Sequence, residues 1–380
     1  MGSKIRVALV HDWLTSRGGA ERVLVSLSKA YPDADIYTSA YNPKLFPELA
    51  DKNVITSFIN SWPLAKSRHQ LYPILRRFAF ESFDFKDYDL VLSDSSAEAK
   101  GIIVPTETVH ISYIHTPTRY YWSHSQQYSQ SPGIGGLGLI AGKANQLLLK
   151  SSQSWDYQAG QRPDYLIANS RNTRSRIKQY YHRDSKVIYP PVDLERLKAK
   201  SPVSSLSNFK NYFICFSRLV PYKRIDLALR ACLITNQNLL VVGNGPEYSR
   251  LVELAQGSTQ IRFLREASDS EVSYLASKAK ALIFPGEEDF GIVPLEAMAL
   301  GLPVIAYRQG GATETIVPAK TGIFFDTQSV ESVVSAILEF PKINFNVEKI
   351  IKHAQSFSEQ RFIAEVRQYT EDKCLEYQKG

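Results

Sequence analysis

Short apolar runs rich in Val, Ile and Phe alternate with amphipathic stretches along nearly the whole chain, and turn residues separate them. No other feature narrows the fold as much. Parallel strands buried on both faces read as continuous apolar runs, and each needs a crossover helix to reach its neighbour. In the first half the strand candidates are Lys4–Val10, Leu90–Ser93, Val109–Ile114, Tyr165–Asn169 and Lys186–Ile188. In the second half they are Tyr212–Ser217, Leu239–Gly243, Ile261–Leu264, Ala281–Phe284, Pro303–Ala306 and Gly322–Phe325. Helical patterns such as Arg224–Thr235, Asp269–Ser277 and Ser329–Leu338 follow most of them. The pattern predicts an α/β protein with parallel sheets covered by helices.

A chain of 380 residues exceeds one ordinary core. The run Tyr189-Pro190-Pro191-Val192-Asp193 rules out helix and interrupts any ladder, so the boundary is expected there. The expected layout is one Rossmann-like domain over residues 1–191, a second over 192–350, and a C-terminal helix over 351–380 crossing back to the first. In such sheets ligands bind beyond the carboxyl ends of strands, so a cleft facing both domains is where chemistry is expected.

Hydrophobic content of 44% with 22% charged residues describes a folded protein. No apolar run is long enough to span a bilayer. The first run, Ile5–Val10, meets His11 and Asp12 at once and reads as a buried strand, not a signal-peptide core. Arg6 stands where a myristoylation motif needs Ser or Thr. These features lead us to expect a cytoplasmic protein. Cys215, Cys232 and Cys374 have neither zinc-ligand spacing nor a disulfide framework and read as small core residues. The net charge of +7 favours an anionic partner: nucleic acid, anionic lipid or a phosphorylated small molecule. Nucleic acid is not expected, because no zinc finger, RNA-binding signature or basic arm is present.

Two constellations carry chemistry. In Ser217-Arg218-Leu219-Val220-Pro221-Tyr222-Lys223, a guanidinium and an ammonium share the loop after a strand, where both can meet one diphosphate. Taken alone, the same loop also describes ordinary solvated surface. In Pro285-Gly286-Glu287-Glu288-Asp289-Phe290-Gly291-Ile292-Val293-Pro294-Leu295-Glu296, a strand end turns at Gly291 into a helix with Pro294 in its first turn and Gly301 closing it. Free N–H groups at such a helix start suit phosphate or hydroxyl oxygens. The acids around Glu288, with Glu296 beyond, exceed what helix capping requires, and each can accept hydrogen bonds from a diol.

Arg218 with Lys223, and Glu288 with Glu296 framing Phe290-Gly291, resemble the donor site of retaining GT-B glycosyltransferases, nearest to the family 4 group that includes bacterial α-mannosyltransferases. The resemblance covers essentially the whole chain. It implies that Arg218 and Lys223 bind the donor diphosphate, that Glu288 faces the transferred sugar and that Glu296 faces the ribose. Phe290, Gly291 and Ile292 would lie along the donor. Glu287, beside Glu288, leaves open which carboxylate points inward. The segment Val241–Pro246, with Gly243 and Gly245, resembles the family's loop at the base and diphosphate. It lacks the third glycine and distal acid of a dinucleotide fingerprint. Gly18 and Gly19 match the family's glycine-rich loop, and His115 stands where members present a histidine near the anomeric carbon.

The implied activity is hexosyl transfer with retention, with mannose from GDP-mannose as the expected donor and a glycan or lipid-linked acceptor. A UDP-sugar enzyme of the same fold and a non-catalytic nucleotide-sugar-binding protein remain alternatives. Asp33 and Asp35 read as a turn, and neither a metal nor any other cofactor is expected. Lys66, Arg68, Arg76 and Arg77 interleave with Trp62, Leu71, Ile74, Leu75 and Phe78, and the run 133–150 is apolar and glycine-rich. Such a surface can rest on anionic lipid, which makes peripheral attachment at the inner membrane face the expectation. The same pattern also fits a helix with its apolar side in the core.

Overall fold

The computed structural model describes residues 5–63, 72–122 and 141–379. It contains two compact units, Met1–Tyr189 together with Phe362–Gly380, and Pro190–Arg361.

The first unit is built on a seven-stranded, wholly parallel sheet. Its strands are β1 (Val7–His11), β2 (Asp35–Thr38), β3 (Val54–Thr56), β4 (Leu90–Ser95), β5 (Val109–Ile114), β6 (Tyr165–Ala168) and β7 (Lys186–Val187). The helices are α1 (Gly19–Ala30), α2 (Pro73–Glu81), α3 (Ala141–Gln161) and α4 (Arg171–Tyr181). The strand order is β3-β2-β1-β4-β5-β6-β7, so the winding reverses between β1 and β4. Loops leave that point in opposite directions and open a natural binding crevice. Register puts His11 opposite Asp94 at this switch.

Alternation along the strands sorts the core into two faces. Leu9, Leu92, Ile111 and Ile167 pack with Val23, Leu24 and Leu27 of α1. On the other face Ala8, Val10 and Val91 meet Phe80 and Phe85. The first face is completed from the far end of the chain, by Phe362, Val366 and Cys374.

The second unit holds a six-stranded parallel sheet in the order β10-β9-β8-β11-β12-β13. Its strands are β8 (Tyr212–Phe216), β9 (Asn238–Val242), β10 (Ile261–Leu264), β11 (Leu282–Phe284), β12 (Val304–Tyr307) and β13 (Gly322–Phe325). Here the switch point falls between β8 and β11. The helices are α5 (Ile225–Ile234), α6 (Tyr248–Leu254), α7 (Asp269–Ala276), α8 (Ile292–Ala299), α9 (Ala312–Thr315), α10 (Val330–Glu339) and α11 (Val347–Gln355). Helix breaks off after α11, and α12 (Glu359–Tyr377) then runs into the first unit. Within the first unit Tyr31 bonds Thr370 at 2.5 Å, and Arg367 Nε donates to the Ala30 carbonyl at 2.8 Å.

The structure corrects one expectation outright. Arg76 and Arg77 of α2 do not face outward: they are 3% and 8% exposed. Arg76 pairs with the buried Glu98 at 2.9 Å and contacts the Tyr120 hydroxyl. Arg77 donates to Tyr121 and to Ser152. The outward residues of α2 are apolar, Ile74 and Phe78, and exposed Phe58 and Trp62 lie on or beside the turn packed against it. A carboxylate buried without a partner is costly, so Glu98 draws its guanidinium inward and α2 rotates with it. Lys66, Arg68, Leu71 and the run 133–140 lie outside the described residues.

Candidate active site

In the second unit, four loops leaving the carboxyl ends of β8, β9, β11 and β12 pack directly on one another. Glycine makes this approach possible. A Cβ on Gly243 or Gly245 would overlap the carbonyl oxygens of Ser217 and Leu219, and both glycines have positive φ, 136° and 157°. The β8 and β9 loops are joined by Ser217 N–H to Val242 O at 3.1 Å and Leu219 N–H to Asn244 O at 2.9 Å. Arg218 is exposed between these two bonds, beside the Gly243–Gly245 loop.

Lys223 ends a tight turn, Pro221–Lys223, and is largely buried. A Cβ on Gly286 would stand 2.9 Å from the Lys223 Cα, so the β11 loop lies against the backbone carrying that ammonium. Lys223 Nζ pairs with Glu288, with side chains 10% and 15% exposed, and lies 5.8 Å from the centre of the Phe284 ring. The choice between adjacent acids is thereby made for this contact: the Lys223 partner is Glu288. Below it, Gly311 N–H donates to the Glu288 carbonyl at 2.8 Å, and a Cβ on Gly311 would overlap Phe290. Gly310 and Gly311 had no signal in the sequence beyond a double glycine.

Gly291, at φ 77°, turns the chain into α8, whose first residues are Ile292, Val293 and Pro294. Gly291, the residue before α8, has no side chain with which to cap the N–H groups at this helix start. The Phe290 ring is buried and packs 6.2 Å from Phe357. Its part at a ligand would be played by backbone. Glu296 faces Arg196, which also reaches Asp269 at 2.7 Å. Arg196 is a residue the sequence did not point to, because it lies a hundred positions from its partner.

In the first unit, Gly18 caps α1 and Gly19 is its first residue. A Cβ on Gly18 would stand 2.8 Å from the Glu21 carboxylate, so the glycine lets that acid fold over the helix start. His115 directly follows β5. Its Nε2 lies 2.5 Å from Asp94 Oδ1, while His11 Nδ1 lies 2.8 Å from Asp94 Oδ2. Asp12 fixes the loop beyond β4 by accepting Ser96, Ala97 and Ala99 N–H groups at 2.6–2.9 Å. Burial alone would lower the His11 pKa, but the Asp94 hydrogen bond and the charges of Asp94, Glu21 and Asp12 outweigh it and push it up to about 9. Burial works against the Asp94 charge, yet His115 and His11 hold that carboxyl below its usual range. Glu21 is raised, chiefly by burial, with His11 opposing. His110, on the same sheet, goes the other way: burial, helped by Arg183 and Arg162, takes it down to about 3.

The structure therefore brings Lys223, Glu288, Gly243, Gly245, Gly291 and the flanks of Arg218 into one loop cluster in the second unit. Glu296 sits on α8 of the same unit with Arg196. Gly18, Gly19 and His115 belong to the first unit. Among the described residues no group of three or more His, Cys, Asp or Glu could hold a metal ion.

Two family models match. Glycosyltransferase Family 4 covers residues 17–196, and Glycosyl transferases group 1 covers residues 198–358. The chain belongs to family 4 of the GT-B glycosyltransferases. A GDP-mannose-dependent alpha-(1-6)-phosphatidylinositol monomannoside mannosyltransferase of Mycolicibacterium smegmatis is 30% identical over 203 residues, 47% of this chain and 53% of the relative. The chain thus spans about half the length of that curated relative, 53%, in the matched region. The alpha-1,3/1,6-mannosyltransferase ALG2 of Rhizomucor pusillus matches over more of the chain, 94% of it and 88% of the relative, at 22% identity. Among solved structures, sucrose-phosphate synthase from Thermosynechococcus elongatus superposes with a TM-score of 0.71 at 16% identity, covering 97% of this chain and 99% of that one. That likeness speaks for the GT-B fold alone, two parallel sheets each flanked by helices.

Proposed function

We propose that this family 4 chain is a retaining hexosyltransferase that moves mannose from GDP-mannose to a glycan or lipid-linked acceptor at the cytoplasmic face of a membrane. The observation that carries the reading is the pairing of Lys223 with Glu288 at the β8/β11 switch point, beside the start of α8. A cation there stabilises negative charge as it develops on a leaving diphosphate, and the helix N–H groups add to it. Arg218 supplies the second cation. Glu288 accepts hydrogen bonds from hydroxyls of the transferred sugar, and Glu296 from the ribose diol.

In the reaction the bond between the anomeric carbon and the diphosphate oxygen breaks. A bond from the acceptor oxygen to the same face of that carbon forms, and the acceptor proton passes to the departing phosphate. Mannose is favoured because the two mannosyltransferase relatives are similar to this chain, one of them named for GDP-mannose. For a lipid-linked acceptor, the first unit offers exposed Phe58, Trp62, Ile74 and Phe78 rather than its arginines.

A thermal-shift panel with GDP, UDP and ADP, followed by NMR of the product's anomeric configuration, tests this reading. Stabilisation by GDP and an α product from α-linked GDP-mannose is the expected result. Stabilisation by UDP alone would move the assignment to a UDP-sugar enzyme. Binding without release of GDP from the donor would leave a nucleotide-sugar-binding protein.

A further inference from the structure

One carboxylate in the first unit serves two imidazoles, and nothing in the proposed chemistry uses it. Asp94 is fully buried at the end of β4, on the switch point of the sheet. Oδ2 meets His11 Nδ1 from β1 at 2.8 Å, and Oδ1 meets His115 Nε2 beyond β5 at 2.5 Å. The three residues come from three adjacent strand ends, so the arrangement is set by sheet register rather than by a mobile loop. The His115 backbone is held on both sides, its N–H donating to Ser95 O at 2.9 Å and its carbonyl accepting the Thr173 hydroxyl at 3.1 Å.

An ionised carboxylate has no proton to donate. Both ring nitrogens that meet Asp94 must therefore carry hydrogens, Nδ1 in His11 and Nε2 in His115. Asp94, Glu21 and Asp12 all favour the protonated form of His11. With Nε2–H committed to Asp94, a His115 ring carrying one proton has its lone pair on Nδ1.

We propose that Asp94 is a positioning residue for His115: by accepting the Nε2 proton it fixes the tautomer that presents Nδ1 as a hydrogen-bond acceptor for a sugar hydroxyl. The sugar rests on the hexosyltransferase reading above, whereas the tautomer does not. Asp94 touches no substrate in this scheme. A side-chain amide at its position offers one acceptor and one donor, so it can satisfy His11 and still force His115 into the opposite tautomer.

The test is long-range proton–nitrogen NMR of the full chain with 15N-labelled histidine, run beside steady-state kinetics with GDP-mannose. Wild-type protein is expected to show His115 protonated on Nε2. Asp94→Asn is expected to move that proton to Nδ1 and to lower kcat by roughly 10²-fold, with GDP affinity changed by less than about twofold. His115→Asn, which keeps an amide near the Nδ1 position, should retain more kcat than His115→Gln, which keeps one near Nε2. That pair preserves the test if Asp94→Asn does not fold. A wild-type His115 carrying its proton on Nδ1 would overturn the proposal, as would Asp94→Asn with unchanged tautomer and kcat. Absence of any transfer from GDP-mannose by wild-type protein would instead count against the donor assignment, leaving the NMR result to decide the role of Asp94.

Discussion

Replacing Lys223 by Met separates a charge that serves the reaction from one that only balances Glu288. Both side chains are largely buried, at 10% and 15% exposure. Removing the ammonium strands a carboxylate that retains little water, which costs about 1–3 kcal/mol of folding stability. Lys223→Met with Glu288→Gln removes both charges, so the double variant should recover much of that loss, a coupling of about 0.5–3 kcal/mol in urea titrations. Activity should behave differently. Loss of one cation from a leaving diphosphate costs about 3–4 kcal/mol at the transition state, or about 10²–10³ in kcat. Affinity for GDP should weaken by about 10- to 100-fold, as expected for a lost hydrogen bond to a charged group. Stability is thus restored in the double variant while turnover is not. Wild-type GDP affinity and turnover in Lys223→Met, with stability alone affected, would refute the assignment and leave Lys223 as a counter-ion.

Other outcomes follow from the same geometry. Gly243→Ala must push a methyl group into the Ser217 carbonyl, whereas Gly257→Ala, at φ 72° with open space around it, bears only the left-handed strain of about 1–2 kcal/mol; chemical denaturation should rank Gly243→Ala well below Gly257→Ala. His11 is raised to about 9 from an unfolded value of 6.5, so its stabilisation is complete below about pH 6.5 and lost as pH rises through 9. His110 is lowered to about 3, so its contribution is complete above about pH 6.5 and lost as pH falls. Denaturation midpoints measured from pH 4 to 10 should therefore fall on both sides of neutrality, with His11→Gln flattening the alkaline limb alone. Phe78→Asp with Ile74→Asp should abolish flotation with anionic liposomes at little cost in stability, while lipid binding unaffected by that pair would remove α2 as the contact.

Much of the scaffold is legible before any coordinates. Val109–Ile114, Ile261–Leu264 and Gly322–Phe325 have the boundaries their runs suggest, although His110, Ser112 and the exposed Arg262 interrupt the apolar pattern. β3 escaped because it is a three-residue edge strand with only intermediate burial, too short for any periodicity. Side-chain direction was harder than backbone. A helix with arginines at 76 and 77 looks from its sequence like a basic outer surface, and only distant partners, Glu98 for Arg76 and Tyr121 with Ser152 for Arg77, meet those charges inside. The same holds in the sites. Strand-end loops identify Lys223 and Glu288 as candidates, but Arg196 meeting Glu296 is a product of tertiary packing, and Asp94 meeting His11 across 83 positions is a product of strand order and register. Strand order is decided by which edges close the core, and no local window of residues contains that information.

The return of α12 to the first unit has a consequence for how the polypeptide is born. Phe362 and Val366 are fully buried in a core whose members outside α12 were translated more than 170 positions earlier, among them Tyr113, whose ring lies 5.7 Å from that of Phe362. The second unit is one uninterrupted segment and can close without any residue beyond Arg361. The first unit, synthesised earlier, must wait for the final helix before its sheet is covered. The second unit can therefore be complete while the first is not, and a chain truncated after Arg361 should hold a finished second unit and a first unit still open to chaperones and proteases.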